Sequence, residues 1–239
     1  MINFSTAPFG RLGWYYLEEV SVLEDFTEIL RSVETGGLDI KTTHATALLL
    51  KEAFPKASER RVLELGSGTG VVSVAIAKMY KRQVTGIELQ CELVDVARKL
   101  AELNSVEDKV GFLCADVKDI KDVVRAESFD MVISNPPHFS RKIESLNVKR
   151  RLERSINGES MEGFVKAIFW SLKNGGEYVL VLGVENFMDW LWLLRKMRLE
   201  PKLMRFFHPK NKAELVAIRG RKNARPGLIV EMPYIGGSL

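Results

Sequence analysis

The sequence predicts an α/β fold: a doubly wound, mostly parallel, seven-stranded sheet that ends in a C-terminal antiparallel hairpin. Three observations carry that expectation. Short apolar runs alternate with helical stretches from residue 41 onward. A glycine-rich turn joins the first such run to the helix after it. The last two runs are separated only by Pro209-Lys210-Asn211-Lys212-Ala213, which reads as a hairpin connection. Strand–helix alternation implies parallel pairing with right-handed crossovers, and mostly apolar runs suit strands covered on both faces.

Taken in order, Leu17 to Val33 reads as helical, and Thr46 to Phe54 as a short helix stopped by Pro55. Arg61 to Leu65 is the first strand, followed by the glycine turn and a helix over Val71 to Tyr80. Gln83 to Glu88 is the second strand. Cys91 to Leu103 is a helix whose Leu93, Val94, Ala97, Leu100 and Ala101 share one face. Val110 to Ala115 and Phe129 to Ser134 are the third and fourth strands. Residues 139–157 are polar, basic and aperiodic, so they read as a long functional loop. Met161 to Leu172 is a helix ended by Asn174-Gly175-Gly176. Glu177 to Leu182 is the fifth strand and Phe187 to Met197 a helix, its Met and Trp residues reading as core packing. Lys202 to His208 and Glu214 to Arg219 form the hairpin. One domain over 1–239 is the simplest division, with 1–40 an N-terminal extension and 41–239 the core.

Composition narrows the function classes. The chain has 239 residues, 46% hydrophobic and 28% charged, the balance of a globular protein rather than a disordered or fibrous one. It contains no apolar run of the roughly 18–20 residues that a spanning helix needs, and its start lacks a secretory pattern. The two cysteines, Cys91 and Cys114, do not make a disulfide scaffold or a metal motif. They read as two buried apolar residues in a reducing cytoplasm. The net charge of +4 is unevenly spread. Residues 141–154 hold six basic and two acidic residues, and residues 195–225 hold eleven and two, so the rest of the chain is net acidic. A polyanion partner would account for that asymmetry.

The turn Glu64-Leu65-Gly66-Ser67-Gly68-Thr69-Gly70 permits positive φ and close approach of a ligand to the backbone. The helix behind it offers free N–H groups. Eighteen residues beyond Gly70 stands Glu88, at the end of the second strand, where a carboxylate can accept both hydroxyls of a ribose. The dinucleotide fingerprint would need Gly or Ala where Val71 stands, and no Gly-Lys-Ser/Thr follows for a phosphate-binding loop of the NTPase type. After the fourth strand come Asn135-Pro136-Pro137-His138-Phe139. Two prolines fix φ twice and remove two donors. The Asn135 side chain and the Asn135 and Pro136 carbonyls can then converge as acceptors on one –NH₂ group, while His138 or Phe139 covers a planar substrate.

The pattern E-x-G-x-G-x-G resembles the first motif of class I S-adenosylmethionine-dependent methyltransferases, which implies a Rossmann-like sheet. Asn-Pro-Pro followed by a ring resembles enzymes acting on amino or amide nitrogen, which usually have Tyr or Phe where this chain has His138. Leu38-Asp39-Ile40-Lys41-Thr42-Thr43, Val84-Thr85-Gly86-Ile87-Glu88-Leu89-Gln90 and the stretch from Leu194 to Lys202, with Arg205-Phe206 and His208-Pro209-Lys210, are similar to bacterial tRNA1(Val) adenine-N6 methyltransferases. His44 stands where that family tends to have an acid, and Leu152-Glu153-Arg154-Ser155 replaces its usual Arg-His-Glu.

The resemblance implies S-adenosylmethionine as cofactor and N6 of an adenine beside a tRNA anticodon as target. It implies that Lys41, Thr43, Glu64, Gly66, Gly68, Gly70, Glu88, Leu89, Asp116, Val117 and Asn135 form the cofactor site, the loop receiving the methionine end, Glu88 the ribose and Asp116 the adenine amino group. Asn135, Pro136 and His138 would be the catalytic residues. Arg141, Lys142, Lys149, Arg150, Arg151 and Arg154 would meet RNA phosphates. Other amino-group targets stay open: rRNA guanine N2, DNA adenine N6 and a release-factor glutamine. So does a non-catalytic RNA-binding module. The expected setting is the cytoplasm, with tRNA as partner and neither membrane nor metal involved.

Overall fold

The computed structural model describes residues 33–38, 40, 42–137 and 149–236, and of residues 149–159 the backbone only. The predicted helix over Leu17 to Val33 lies, but for Val33, outside the described residues. Nine strands form one sheet among the described residues, in the order β3-β2-β1-β4-β5-β7-β6-β8, with β9 also on β6. They are β1 (Arg61–Leu65), β2 (Gln83–Glu88), β3 (Val110–Cys114), β4 (Phe129–Ser134), β5 (Leu172–Gly183), β6 (Leu199–His208), β7 (Leu215–Lys222), β8 (Ile229–Val230) and β9 (Tyr234–Ile235). The helices are α1 (His44–Glu52), α2 (Val71–Tyr80), α3 (Cys91–Leu103), α4 (Ile120–Val123), α5 (Lys149–Ser171) and α6 (Phe187–Lys196).

Strands β1 to β5 pair in parallel, and β7 runs antiparallel between β5 and β6. The α/β fold with its antiparallel C-terminal hairpin is therefore as the sequence predicts, with β8 and β9 added. Alternate residues of the central strands feed two cores. Val62, Val84, Met131, Ile133, Val179 and Val181 pack with residues of α1, α2 and α3. Leu63, Leu65, Ile87, Val132, Leu180 and Leu182 pack with residues of α5 and α6. Both sheet faces are thus buried, which is why the middles of these strands are mostly apolar.

Four expectations need correction. Residues 149–157 are helical and not loop: α5 begins at Lys149, twelve residues before Met161. Lys, Arg, Leu and Glu are good helix formers, and no proline interrupts them. Strand β5 starts at Leu172, directly after that helix. Gly175, at φ +74°, lies within the strand's span rather than ending a helix beyond it. Of the 188–197 group, Trp190 is 2% exposed, but Met188 and Trp192 are 65% and 63% exposed. Finally, Cys91 and Cys114 are both on the surface and are bonded to each other, with Cα atoms 5.1 Å apart. The β2–β3 register sets Glu88 beside Cys114, and α3 starts three residues after Glu88, so the first residue of that helix lies over the end of β3.

The predicted phosphate-binding segment 195–225 is partly absorbed by the fold. Arg219, Arg221 and Lys56 converge on the buried Glu177 carboxylate. Arg205 pairs with Glu52 and Glu231 and bonds the Tyr234 hydroxyl. Lys222, 3% exposed, donates to the Phe169 and Leu172 carbonyls at 2.7 and 2.8 Å and to Glu127 at 2.9 Å. It therefore closes the C-terminal end of α5, where carbonyls lack helical partners.

Candidate active site

Strand registers assemble the site. Leu65 pairs with Ile87 on one side and with Ser134 on the other. The residues that follow, Gly66, Glu88 and Asn135, therefore emerge side by side at the carboxyl ends of β1, β2 and β4. Strand order reverses between β1 and β4, and open α/β sheets bind ligands at such a point. Ser134 reinforces the junction, since its hydroxyl donates to the Leu65 carbonyl at 2.6 Å.

Gly66, Gly68 and Gly70 have φ of +73°, +54° and +77°. Gly70 is also fixed by packing, because a Cβ there would stand 2.6 Å from the Phe112 ring and 2.7 Å from Ala97. A Cβ on Gly68 would meet nothing within 4 Å. Its outer side is open, so a ligand can approach its backbone closely.

Glu88 is 8% exposed and both its oxygens are held from the backbone. Oε2 accepts from Gly68 N–H at 2.9 Å and Oε1 from Gln90 N–H at 3.0 Å. A carboxylate has about four acceptor positions, so about two remain for a diol. Glu64 lies deeper. It is 3% exposed, and the Ser73 hydroxyl donates to its Oε2 at 2.5 Å. Burial pushes its carboxyl up to about 8 despite that bond, and neighbouring Glu88 adds to the rise.

Two residues past the end of β3, Asp116 caps a short 3-10 turn, its Oδ1 accepting from Lys118 N–H at 2.9 Å. Leu89 is 65% exposed, and Val117 packs against the α5–α6 core. At the other end of the row, the Asn135 Oδ1 is buried and has no hydrogen-bond partner among the described residues. Such an acceptor is costly to leave unmet and suits an incoming –NH₂ group. Ser67 Oγ, within the glycine loop, is buried and unmet as well. Periodicity singled out neither residue: Ser67 lies in an aperiodic turn, and Ser73 is a lone hydroxyl on an apolar helix.

The remaining expected site residues stand apart or are undescribed. Thr43 caps α1, its hydroxyl accepting from Thr46 N–H at 3.2 Å. Pro136 follows Asn135 on the site side of β4. Lys41, His138, Arg141 and Lys142 lie outside the described residues, as do the side chains of Lys149, Arg150, Arg151 and Arg154. No cluster of three or more His, Cys, Asp or Glu able to hold a metal occurs among the described residues. No described helix is long and apolar enough to cross a membrane.

Residues 39–189 match the family described as methyltransferase small domain, a span that contains the whole row from Glu64 to Asn135. The chain belongs to that family.

Other proteins are similar to parts of the chain. A protein of Glaesserella parasuis named tRNA1(Val) (adenine(37)-N6)-methyltransferase is 27% identical over 129 residues, 54% of each chain. One of Shewanella halifaxensis with the same name is 24% identical over 139 residues, 58% of this chain and 56% of that protein. A release factor glutamine methyltransferase of Rhodopirellula baltica is 31% identical over 137 residues, 56% of this chain and 44% of that protein. The chain thus spans about half the length of the curated relatives it matches. Among solved structures, a predicted O-methyltransferase of Agrobacterium tumefaciens has a TM-score of 0.63 at 21% identity, covering 81% of this chain and 87% of its own. TrmN of Thermus thermophilus has a TM-score of 0.54 at 17% identity, covering 74% and 48%. Both neighbours share the fold of the methyltransferase small domain chain described here.

Proposed function

We propose that this protein transfers a methyl group from S-adenosylmethionine to an exocyclic amino nitrogen, N6 of an adenine in a tRNA anticodon loop, in the cytoplasm. The observation that carries the reading is the unmet, buried Asn135 Oδ1, one strand from the glycine loop. The relatives named as tRNA1(Val) adenine-N6 methyltransferases support the choice of substrate.

The residues present fit the cofactor. Gly68 leaves its backbone open to the methionine end, and Glu88 keeps free acceptor positions for the ribose hydroxyls. Asp116 stands on the neighbouring strand end for the adenine amino group. Bound there, the cofactor supplies an electrophilic methyl group on a sulfonium. The protein's part is to orient the amino nitrogen. Asn135 Oδ1 and the Pro136 carbonyl accept its two hydrogens, which points the lone pair away from them. As positive charge grows on nitrogen, those acceptors hold it more strongly, so they favour the transition state over the ground state. The surplus proton needs no dedicated base, because an N-alkylated amino group carrying positive charge gives it up to water. An adenine in an anticodon loop is already partly unstacked, so taking it out of the stack costs little.

The test is incubation with labelled S-adenosylmethionine and total tRNA, followed by nucleoside mass spectrometry. N6-methyladenosine is the expected product. Asn135→Ala should lower kcat by on the order of a hundredfold while changing the cofactor Kd far less. Full methyl transfer by that variant would overturn the site. A second reading, methylation of a release-factor glutamine, is favoured by the 31% identity to the Rhodopirellula baltica protein. Methyl incorporation into release factor and none into tRNA would select it.

A further inference from the structure

The bond between Cys91 and Cys114 crosses the end of the sheet at the place assigned to the adenosine. Cys114 is the β-bridge partner of Glu88 and precedes Asp116 by two residues. Cys91 is the first residue of α3 and follows Gln90, whose N–H holds Glu88 Oε1. Ala115 N–H donates to the Glu88 carbonyl at 2.9 Å, and the Cys114 sulfur lies 3.7 Å from the Leu89 carbonyl oxygen. The bond therefore ties the segment that orients Glu88 to the segment that carries Asp116. Both cysteines are exposed, so small thiols and disulfides can reach them.

We propose that Cys91 and Cys114 form a site of reversible oxidative modification that couples thiol redox state to cofactor binding. The inference rests on the S-adenosylmethionine reading above. Closure needs an oxidant, here a low-molecular-weight disulfide such as oxidised glutathione. One cysteine thiolate attacks a sulfur of that disulfide, forming a mixed disulfide and expelling one small thiolate. The second cysteine thiolate attacks the protein sulfur of the mixed disulfide and expels the other. Two protein thiols are oxidised, one small disulfide is reduced to two thiols, and the two protons pass to those thiols. A dithiol reductant reverses the sequence. In a reducing compartment the pair rests open, and an oxidant closes it.

Closure holds Gln90 N–H on Glu88 and fixes the start of α3 against the end of β3. In the open form the core packing of α3 on β3 persists, but at the surface end only hydrogen bonds hold Gln90 and Ala115 to Glu88, and part of the ordering there falls on cofactor binding. Ordering one or two groups at an interface corresponds to roughly a threefold to tenfold change in affinity. The oxidised protein should therefore bind the cofactor that much more tightly than the reduced protein.

The experiment uses the full chain, oxidised with oxidised glutathione or reduced with dithiothreitol, with free thiols counted in each state. The Kd for S-adenosylmethionine is then measured by calorimetry. Expected are no free thiols after oxidation, two after reduction, and a threefold to tenfold weaker Kd in the reduced state. Cys91→Ser and Cys114→Ser should each bind like the reduced protein whatever the redox state. Two free thiols after oxidation, or equal Kd in both states, would overturn the coupling while leaving the cofactor reading intact. No binding in either state would overturn the cofactor reading and the coupling together.

Discussion

Glu64 shows how a single residue's chemistry follows from its depth. The sequence identifies it as the acid that opens the glycine loop, but only the structure shows that it is buried under that loop with Ser73 as its donor. Its carboxyl, pushed up to about 8, is protonated at neutral pH. Between its ordinary value of 4.5 and about 8 the folded chain holds a proton that the unfolded chain has released. Its contribution to stability is therefore full below pH 4.5 and is lost as pH rises through 8. The same proton must leave if the loop is to meet a cationic amino group at the methionine end of the cofactor. Cofactor affinity should then rise with pH, by up to about tenfold per unit below pH 8, and level off above it. Calorimetry in buffers of different ionisation enthalpy should show nearly one proton released per cofactor at pH 7. Glu64→Gln should abolish both effects. The position of Glu88, by contrast, was legible, because it closes an apolar strand that follows the glycine turn and its helix.

At the scale of elements, strands β1 to β4 and the helices α2 and α3 match their sequence boundaries to within a residue, whereas β5, β6 and β7 run three to five residues beyond theirs. Uninterrupted apolar runs with both faces buried leave no other register. The beginning of α5 was not legible because its charged residues have no apolar period, although each is a good helix former. Strands β8 and β9 were not legible either. Each has two residues, Ile229 and Val230 are 64% and 59% exposed, and both strands exist only by pairing with β6. The basic residues of β7 misled for a different reason: alternation places Arg219 and Arg221 on one face, where both reach Glu177 across the β5–β7 pairing. Burial alone would raise the Glu177 carboxyl. Hydrogen bonds and charge from Lys56 and Arg219 outweigh that and hold it below the usual carboxylate range. Arg221 and Lys56 are about half exposed, so most of the interaction rests on Arg219. Glu177→Gln should lower stability by roughly 3 kcal/mol at pH 7, because it leaves a largely buried guanidinium uncompensated. A lowered carboxyl contributes above its unfolded value and is lost as pH falls below about 4.5. The difference in Tm between wild type and variant should therefore shrink below about pH 4.

At the scale of the whole molecule, the sheet order sets up a division of labour. The carboxyl ends of β3, β2, β1 and β4 line up the candidate site, and the C-terminal strands extend the sheet on the far side of β5. Charge follows the same division less closely than the sequence implies. Of the eleven basic residues in 195–225, Arg205, Arg219, Arg221 and Lys222 serve the fold through Glu52, Glu231, Glu177 and Glu127. They cannot neutralise phosphate without giving up those partners. Arg195, Lys196, Arg198, Lys210, Lys212 and Arg225 are exposed, and Lys149, Arg150, Arg151 and Arg154 begin α5, the helix that follows the Asn-Pro-Pro segment in the chain. If tRNA is the substrate, those four residues are the densest basic group in the stretch that follows the target amino site. Each phosphate contact releases condensed counterions, worth a slope of about 0.7 to 0.9 in log affinity against log salt. Changing all four to Ala should therefore flatten the salt dependence of tRNA binding by about 3 and weaken binding at low salt. The cofactor Kd should stay the same, because Glu88 is held by the backbone of Gly68 and Gln90. Arg219→Ala should do the opposite, lowering Tm while leaving the salt slope unchanged. Binding measured by filter retention between 50 and 300 mM salt separates the two classes. A quadruple variant with an unaltered slope would remove the start of α5 from the RNA surface.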